Sequence, residues 1–136
     1  MSNPWSLSLL VGLGGFAGSI ARYGLSLAAQ RYTIEWPLGT LAANVLGCLI
    51  IGVITALVMR GETLTPELRL ALATGFCGGF TTLSSLIYET AEMIRSSELL
   101  HAALYVAGTL VFSMIAFVTG VFVVRLLLRV GGVMWS

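Results

Sequence analysis

The sequence contains no lysine and no aspartate, and only 10% of its 136 residues are charged. Soluble domains carry about 25% charged residues, so a water-solvated globule is excluded. Every cation is arginine and every anion glutamate, with a net charge of +1. That balance gives no hold on nucleic acid or on an acidic partner. One histidine and two cysteines supply neither a metal cluster nor a nucleophile–base pair, so an enzyme is not expected. Cys48 and Cys77 both sit in apolar runs, where cysteine acts as a small packing residue. No disulfide is expected between them. The first apolar run has no charged leader and no small-residue cleavage motif, so it is expected to be a span and not a cleavable signal. Low-complexity segments are absent too.

What remains is mostly hydrocarbon: 57% of the residues are hydrophobic and the mean hydropathy is +0.97. Four apolar runs are legible, at 7–29, 37–59, 70–94 and 102–124, each near the ~20 residues a bilayer requires. The connections between them are too short to hold an extramembrane domain. The chain therefore reads as one all-α membrane domain, 1–136, with four transmembrane helices. Pro37 and Pro66 suit the first turns of spans two and three, and Thr65 suits an N-cap. Trp5, Tyr32, Trp36 and Trp135 fall near span ends, where amphipathic rings prefer the interface. With both termini on one side, Arg60, Arg69, Arg125 and Arg129 share that side, opposite Arg31 and Arg95. Four against two is a weak orientation bias and permits insertion both ways.

The sequence turns on residues 74–85, Thr-Gly-Phe-Cys-Gly-Gly-Phe-Thr-Thr-Leu-Ser-Ser. A glycine pair inside a span costs roughly 1 kcal/mol per residue against alanine. Either Gly78 and Gly79 break the helix to serve an ion or its path, or they let a neighbouring helix approach closely. Thr81, Thr82, Ser84, Ser85 and Tyr88 add a polar stripe. Membrane hydroxyls often bond back to their own i−4 carbonyl, but four so close together suggest more. Glu89 falls near an interface, where a carboxylate is ordinarily solvated.

The other spans carry sparse polar groups. Span one has the small-xxx-small pair Gly14 and Gly18, then Arg22. That arginine either snorkels to the headgroups or sets a positive potential in an internal cavity. Span two has Asn44 flanked by Thr40 and Gly47. A lone amide in hydrocarbon needs a partner, so Asn44 either glues the bundle or faces a path. Span four has Tyr105, Thr109 and Ser113 at steps of four, one inward ridge. The inventory is mostly donors, with no deep carboxylate, and it suits a small anion better than a proton-coupled transporter. Dehydrating such an ion is expensive, so the path must be narrow and densely lined. Four short spans barely enclose one, and an oligomer is expected, most simply a two-fold dimer.

Three motifs occur in order: Gly-Gly-x-x-Gly-x-x-x-Arg-Tyr at 14–23, Gly-Thr-Leu-x-x-Asn-x-x-Gly at 39–47, and Gly-x-x-Gly-Gly-x-Thr-Thr-x-Ser at 75–84. With Tyr105 and Ser113 on span four, the chain resembles the Fluc-type fluoride channels, also called CrcB proteins, over essentially its whole length. The resemblance implies an antiparallel homodimer of dual-topology subunits in the bacterial plasma (inner) membrane, with the third span broken mid-membrane. It implies two pores that pass fluoride outward, passively and selectively. It implies a structural sodium ion at the dimer centre on the backbone carbonyls of Gly78 and Thr81. It places Asn44, Thr40, Ser84, Tyr105, Thr109 and Ser113 along the fluoride pore, and Arg22 and Glu89 in the vestibule.

One departure stands out. The family pattern after the two threonines is Phe-Ser-x-Phe, with both rings lining the pore. Here those positions are Leu83 and Leu86. Leucine keeps an apolar wall but has no ring quadrupole. Two other readings compete with a channel. A small multidrug-type transporter would need an acid in span one, which holds Arg22 instead. A non-conducting membrane subunit would use the glycine faces but would not need the polar track.

Overall fold

The computed structural model describes residues 3–32, 36–59 and 64–130. Trp135 and Arg60, both weighed above, lie outside them. Every regular element among the described residues is helical, and four helical stretches are long and apolar enough to cross a membrane.

Span one is α1, Pro4–Ala29. Its start follows from local chemistry: the Asn3 side chain accepts the Trp5 N–H at 3.1 Å, and Pro4 takes the position where no donor is needed. Span two is α2, Leu38–Val58, and Pro37 precedes its first turn. Span three runs over Pro66–Arg95. It opens on α3, Pro66–Arg69, where Thr65 Oγ1 accepts the Leu68 N–H. It continues through wide π-type turns at Leu70–Cys77 and a short α4, Gly78–Phe80. Thr81 and Thr82 are extended, with ψ of 157° and 119°, and α5, Leu83–Arg95, follows. Span four is α6, Leu99–Val130. Its 32 residues correspond to roughly 48 Å of helix, more than a ~30 Å hydrocarbon layer, so it tilts or projects.

Between spans three and four the chain turns within three residues. Ser97 adopts a left-handed φ of 65°. The Ser97 N–H reaches the Ile94 carbonyl and the Glu98 N–H the Met93 carbonyl, so these two orphan carbonyls of the helix end are satisfied. Glycine is the usual residue here, and serine accepts a conformational cost. Nothing in the residue pattern points to this turn.

Two backbone-close pairings build the bundle: span one against the first half of span three, and span two against span four. At Gly18 an added Cβ would lie 2.1 Å from the Phe76 carbonyl oxygen. At Gly79 it would lie 2.3 Å from the Gly15 carbonyl oxygen. Gly52 and Gly120 stand equally close to Phe117 and Leu49 on the other pair. The close-packing reading of the glycines is thus correct for Gly79, which is helical. The helix gives way two residues later, at Thr81.

The buried apolar set is small: Ala43, Ile54, Ala56, Cys77, Phe80, Leu86, Ala102, Tyr105 and Val124. Long apolar side chains such as Leu9, Phe16, Phe112 and Phe122 point outward instead. Water cannot be their solvent, because burial of this much apolar surface is the main driving force available. The chain is a multi-pass membrane protein.

Candidate functional site

A cleft of about 570 Å³ opens between the end of span one, the start of span two and the second half of span three. Ser26, Gln30, Trp36, Thr40, Tyr88 and Glu89 are among its walls. The Trp36 ring meets the His101 ring edge-on at 5.4 Å, so one wall of the cleft leans on the start of span four. Trp36 is therefore half-buried packing, not only an interfacial ring.

Glu89 sits at the inner end of that cleft and is far from a freely solvated carboxylate. The Thr40 hydroxyl donates to its Oε1 at 2.7 Å, and the Tyr105 hydroxyl donates to its Oε2 at 2.6 Å. Tyr105 is only 1% exposed. Both distances lie at the short end of the range for O–H···O hydrogen bonds. The three residues come from spans two, three and four, and the sequence reading named all three without joining them.

One helical turn deeper, Asn44 meets the interruption in span three. Its Nδ2 donates to the Thr82 carbonyl at 3.1 Å, and its Oδ1 accepts the Thr82 N–H at 2.7 Å. Backbone leaving a helix inside a membrane must find partners in protein, and Asn44 supplies both for one residue. Arg22 works on the other side of the break. Its Nε donates to the Gly79 carbonyl at 3.1 Å, and the Ser19 hydroxyl reaches the same oxygen at 3.5 Å. A cation on a late helix carbonyl also suits the helix dipole. Ser19 was not singled out from sequence; its place one turn before Arg22 was the available signal.

The hydroxyl stripe resolves into separate jobs. Thr81 Oγ1 bonds back to the Cys77 carbonyl at 2.8 Å. Thr82 Oγ1 caps α5 by accepting the Ser85 N–H at 3.1 Å, and it shares hydrogen bonds with the Ser84 and Ser85 hydroxyls. Ser84 is exposed. On span four, Thr109 Oγ1 bonds back to the Tyr105 carbonyl at 2.8 Å. Ser113 Oγ is the one buried side-chain polar atom among the described residues with no hydrogen-bond partner. Leu83 and Leu86, treated as a pair above, part company: Leu83 is 68% exposed and Leu86 3%. Phe80, buried and stacked on Phe76 at 5.6 Å, fills the space before the break.

Four apolar spans joined through glycine faces, with a hydroxyl–carboxylate–amide seam at their centre, define a small polytopic membrane protein with an internal polar line. Residues 9–121 match the model of the family described as CrcB-like protein, Camphor Resistance (CrcB), and the chain belongs to that family. It is 46% identical over 125 residues to the protein named Fluoride-specific ion channel FluC of Prosthecochloris aestuarii, covering 92% of this chain and 98% of that one. A Chlorobaculum tepidum protein of the same name is 48% identical over 118 residues, covering 87% and 94%. A third, from Sorangium cellulosum, is 45% identical over 119 residues, covering 87% and 94%. These relatives are named as ion channels and not as enzymes.

Proposed function

We propose that the chain is a fluoride channel of the bacterial plasma membrane, carrying the ion passively outward. The observation that carries this reading is the donor line from Thr40 and Tyr105 to Ser113, set in a chain similar to proteins named for fluoride. Fluoride is small and strongly hydrated, and burying it without replacement donors is prohibitive. Thr40 and Tyr105 each hold one hydroxyl donor on Glu89. An anion at the cleft takes over one of these donors only when Glu89 releases it. Ser113 Oγ has no bond to surrender, so its proton is available at once. Leu83 and Leu86 provide apolar bulk without ring edges, so we expect slower passage than phenyl-lined paths allow.

The working unit is an antiparallel, dual-topology homodimer with two pores. The weak arginine bias permits both orientations. Each subunit leaves most of its long apolar side chains outward. Gly78 has open space where a side chain would stand, room for a second copy to approach the break.

A structural sodium ion fits the same place. In an unbroken helix the Thr82 N–H would go to the Gly78 carbonyl, and the Ser85 N–H to the Thr81 carbonyl. Here they go to Asn44 Oδ1 and Thr82 Oγ1. Both carbonyls thereby leave the helix ladder, and neutral oxygen donors suit a hard cation. Gly78 and Thr81 of two subunits would hold it, and the ion would supply positive charge to join the two breaks.

The test is fluoride efflux from liposomes carrying the purified protein, followed with a fluoride electrode. Fluoride release with chloride retained is the expected result. Equal release of both ions, or release no faster than from empty liposomes, overturns the proposal.

A further inference from the structure

The Glu89 cleft takes in the start of span two. A second groove, of about 600 Å³, takes in its end. Val58 comes to it from the last turn of span two, and Arg69, Leu70, Ala73 and Thr74 come from the first turns of span three. On span three the lining positions recur at steps of three and four, which is one helical stripe. The first half of span three packs mainly on span one and meets span two only sparsely, so a channel is left open between spans two and three.

Arg69 and Thr74 are the polar members of the described lining, and both are exposed. The Arg69 guanidinium has no ion pair or side-chain hydrogen bond with another described residue, whereas Arg95 is paired with Glu92 at 3.1 Å. No carboxylate stands among the described residues of the groove. Thr81, Thr90, Thr109 and Thr119 each bond back to the carbonyl four residues earlier. The Thr74 hydroxyl makes no such bond among the described residues, so its proton is free for another acceptor. Depth orders the two groups. Arg69 is the fourth residue of span three, within reach of the headgroups, and Thr74 lies about one turn deeper.

We propose that this groove holds one anionic phospholipid per chain. Its phosphate lies on Arg69, its ester carbonyl accepts from Thr74, and an acyl chain runs along Val58, Leu70 and Ala73. A guanidinium matches the phosphate oxygens two at a time. The ester carbonyls of a phospholipid lie just inside the phosphate, where Thr74 stands, and the hydrocarbon follows. A zwitterionic lipid brings a cation of its own, and the described lining offers no acid to receive it. A free phosphate ion would leave the apolar walls bare. This inference does not depend on which ion the protein conducts.

The experiment uses the full chain purified in detergent, titrated with phosphatidylglycerol or phosphatidylcholine and read by native mass spectrometry. The expected result is one phosphatidylglycerol per chain, held more tightly than phosphatidylcholine and not displaced by millimolar inorganic phosphate. Arg69→Gln should bind it about five-fold more weakly, the loss of one cation against an anionic lipid. Arg129→Gln, which removes an exposed arginine on the same side and outside the groove, should bind it as the native chain does. Ala73→Trp fills the groove with Arg69 in place and should lower binding at least as much. Equal binding of the two lipids, displacement by phosphate, or equal weakening by Arg69→Gln and Arg129→Gln overturns the proposal. Should Ala73→Trp fail to fold, the two arginine variants decide the question.

Discussion

Asn44 holds Thr82 by both of its backbone polar atoms, at 2.7 Å to the nitrogen and 3.1 Å to the oxygen. One side chain thus does for a membrane-buried extended residue what water does elsewhere. Asn44→Ala would orphan a donor and an acceptor together, each worth roughly 1–3 kcal/mol when buried. We expect a lowered melting temperature in detergent together with lowered fluoride flux. Loss of flux with an unchanged melting curve would show that Asn44 serves the ion and not the fold.

Tyr105→Phe removes the donor to Glu89 Oε2 and leaves the ring's packing intact. A hydrogen bond within a protein contributes about 0.5–1.5 kcal/mol net, and the same donor stands on the proposed path. Flux from liposomes should fall at least several-fold, with stability reduced by no more than that range. Thr40→Val should act in the same direction. Normal flux in both variants would remove the Glu89 node from the path.

Gly78 and Gly79 are neighbours with opposite surroundings. A Cβ at Gly79 would collide with the Gly15 carbonyl, while one at Gly78 would meet nothing within 4 Å. Gly79→Ala should cost about 1–3 kcal/mol by overpacking and lower the yield of folded protein. Gly78→Ala should leave each subunit folded. If it also converts the protein to a monomer on size-exclusion chromatography, the second copy meets the first at that glycine.

Leu83→Phe and Leu86→Phe should also differ. Leu83 is exposed and accepts a ring freely, whereas Leu86 is packed on all sides, so enlarging it costs about 1–3 kcal/mol. We expect Leu83→Phe to preserve or raise fluoride flux at unchanged stability. The double variant should preserve or raise flux as well, with a lower melting temperature.

Ser113→Ala removes a buried hydroxyl that has no partner. Deleting an unpaired polar group is neutral or stabilising, so the melting temperature should hold or rise. Flux should fall, because a free donor on the proposed path is lost. A fall in stability would mean that Ser113 has a structural bond in the membrane-embedded assembly.

How much of this was legible beforehand depends on what each feature responds to. Span count and approximate span position follow from hydropathy along the chain, because bilayer thickness acts on one dimension. The Thr65–Pro66 start of span three follows from capping chemistry that spans only a few residues. The motifs at 14–23, 39–47 and 75–84 carried the family. The polar residues of the seam were named with the exception of Ser19, since an amide, a carboxylate or a hydroxyl in an apolar run is conspicuous.

Which of them met was not legible. A membrane hydroxyl can satisfy itself on its own i−4 carbonyl, as Thr81 and Thr109 do, or cross to another helix, as Thr40 and Tyr105 do. The residue type is the same either way. Gly78 and Gly79 look identical in a string, and Leu83 and Leu86 look like one pair. Composition and hydropathy determined that this chain crosses a membrane four times, and the three motifs placed it with its relatives. Only the tertiary structure decided that Asn44 and Arg22 hold the interrupted span and that Glu89 joins spans two and four. Those choices depend on distances between backbones far apart in sequence, and no local pattern encodes them.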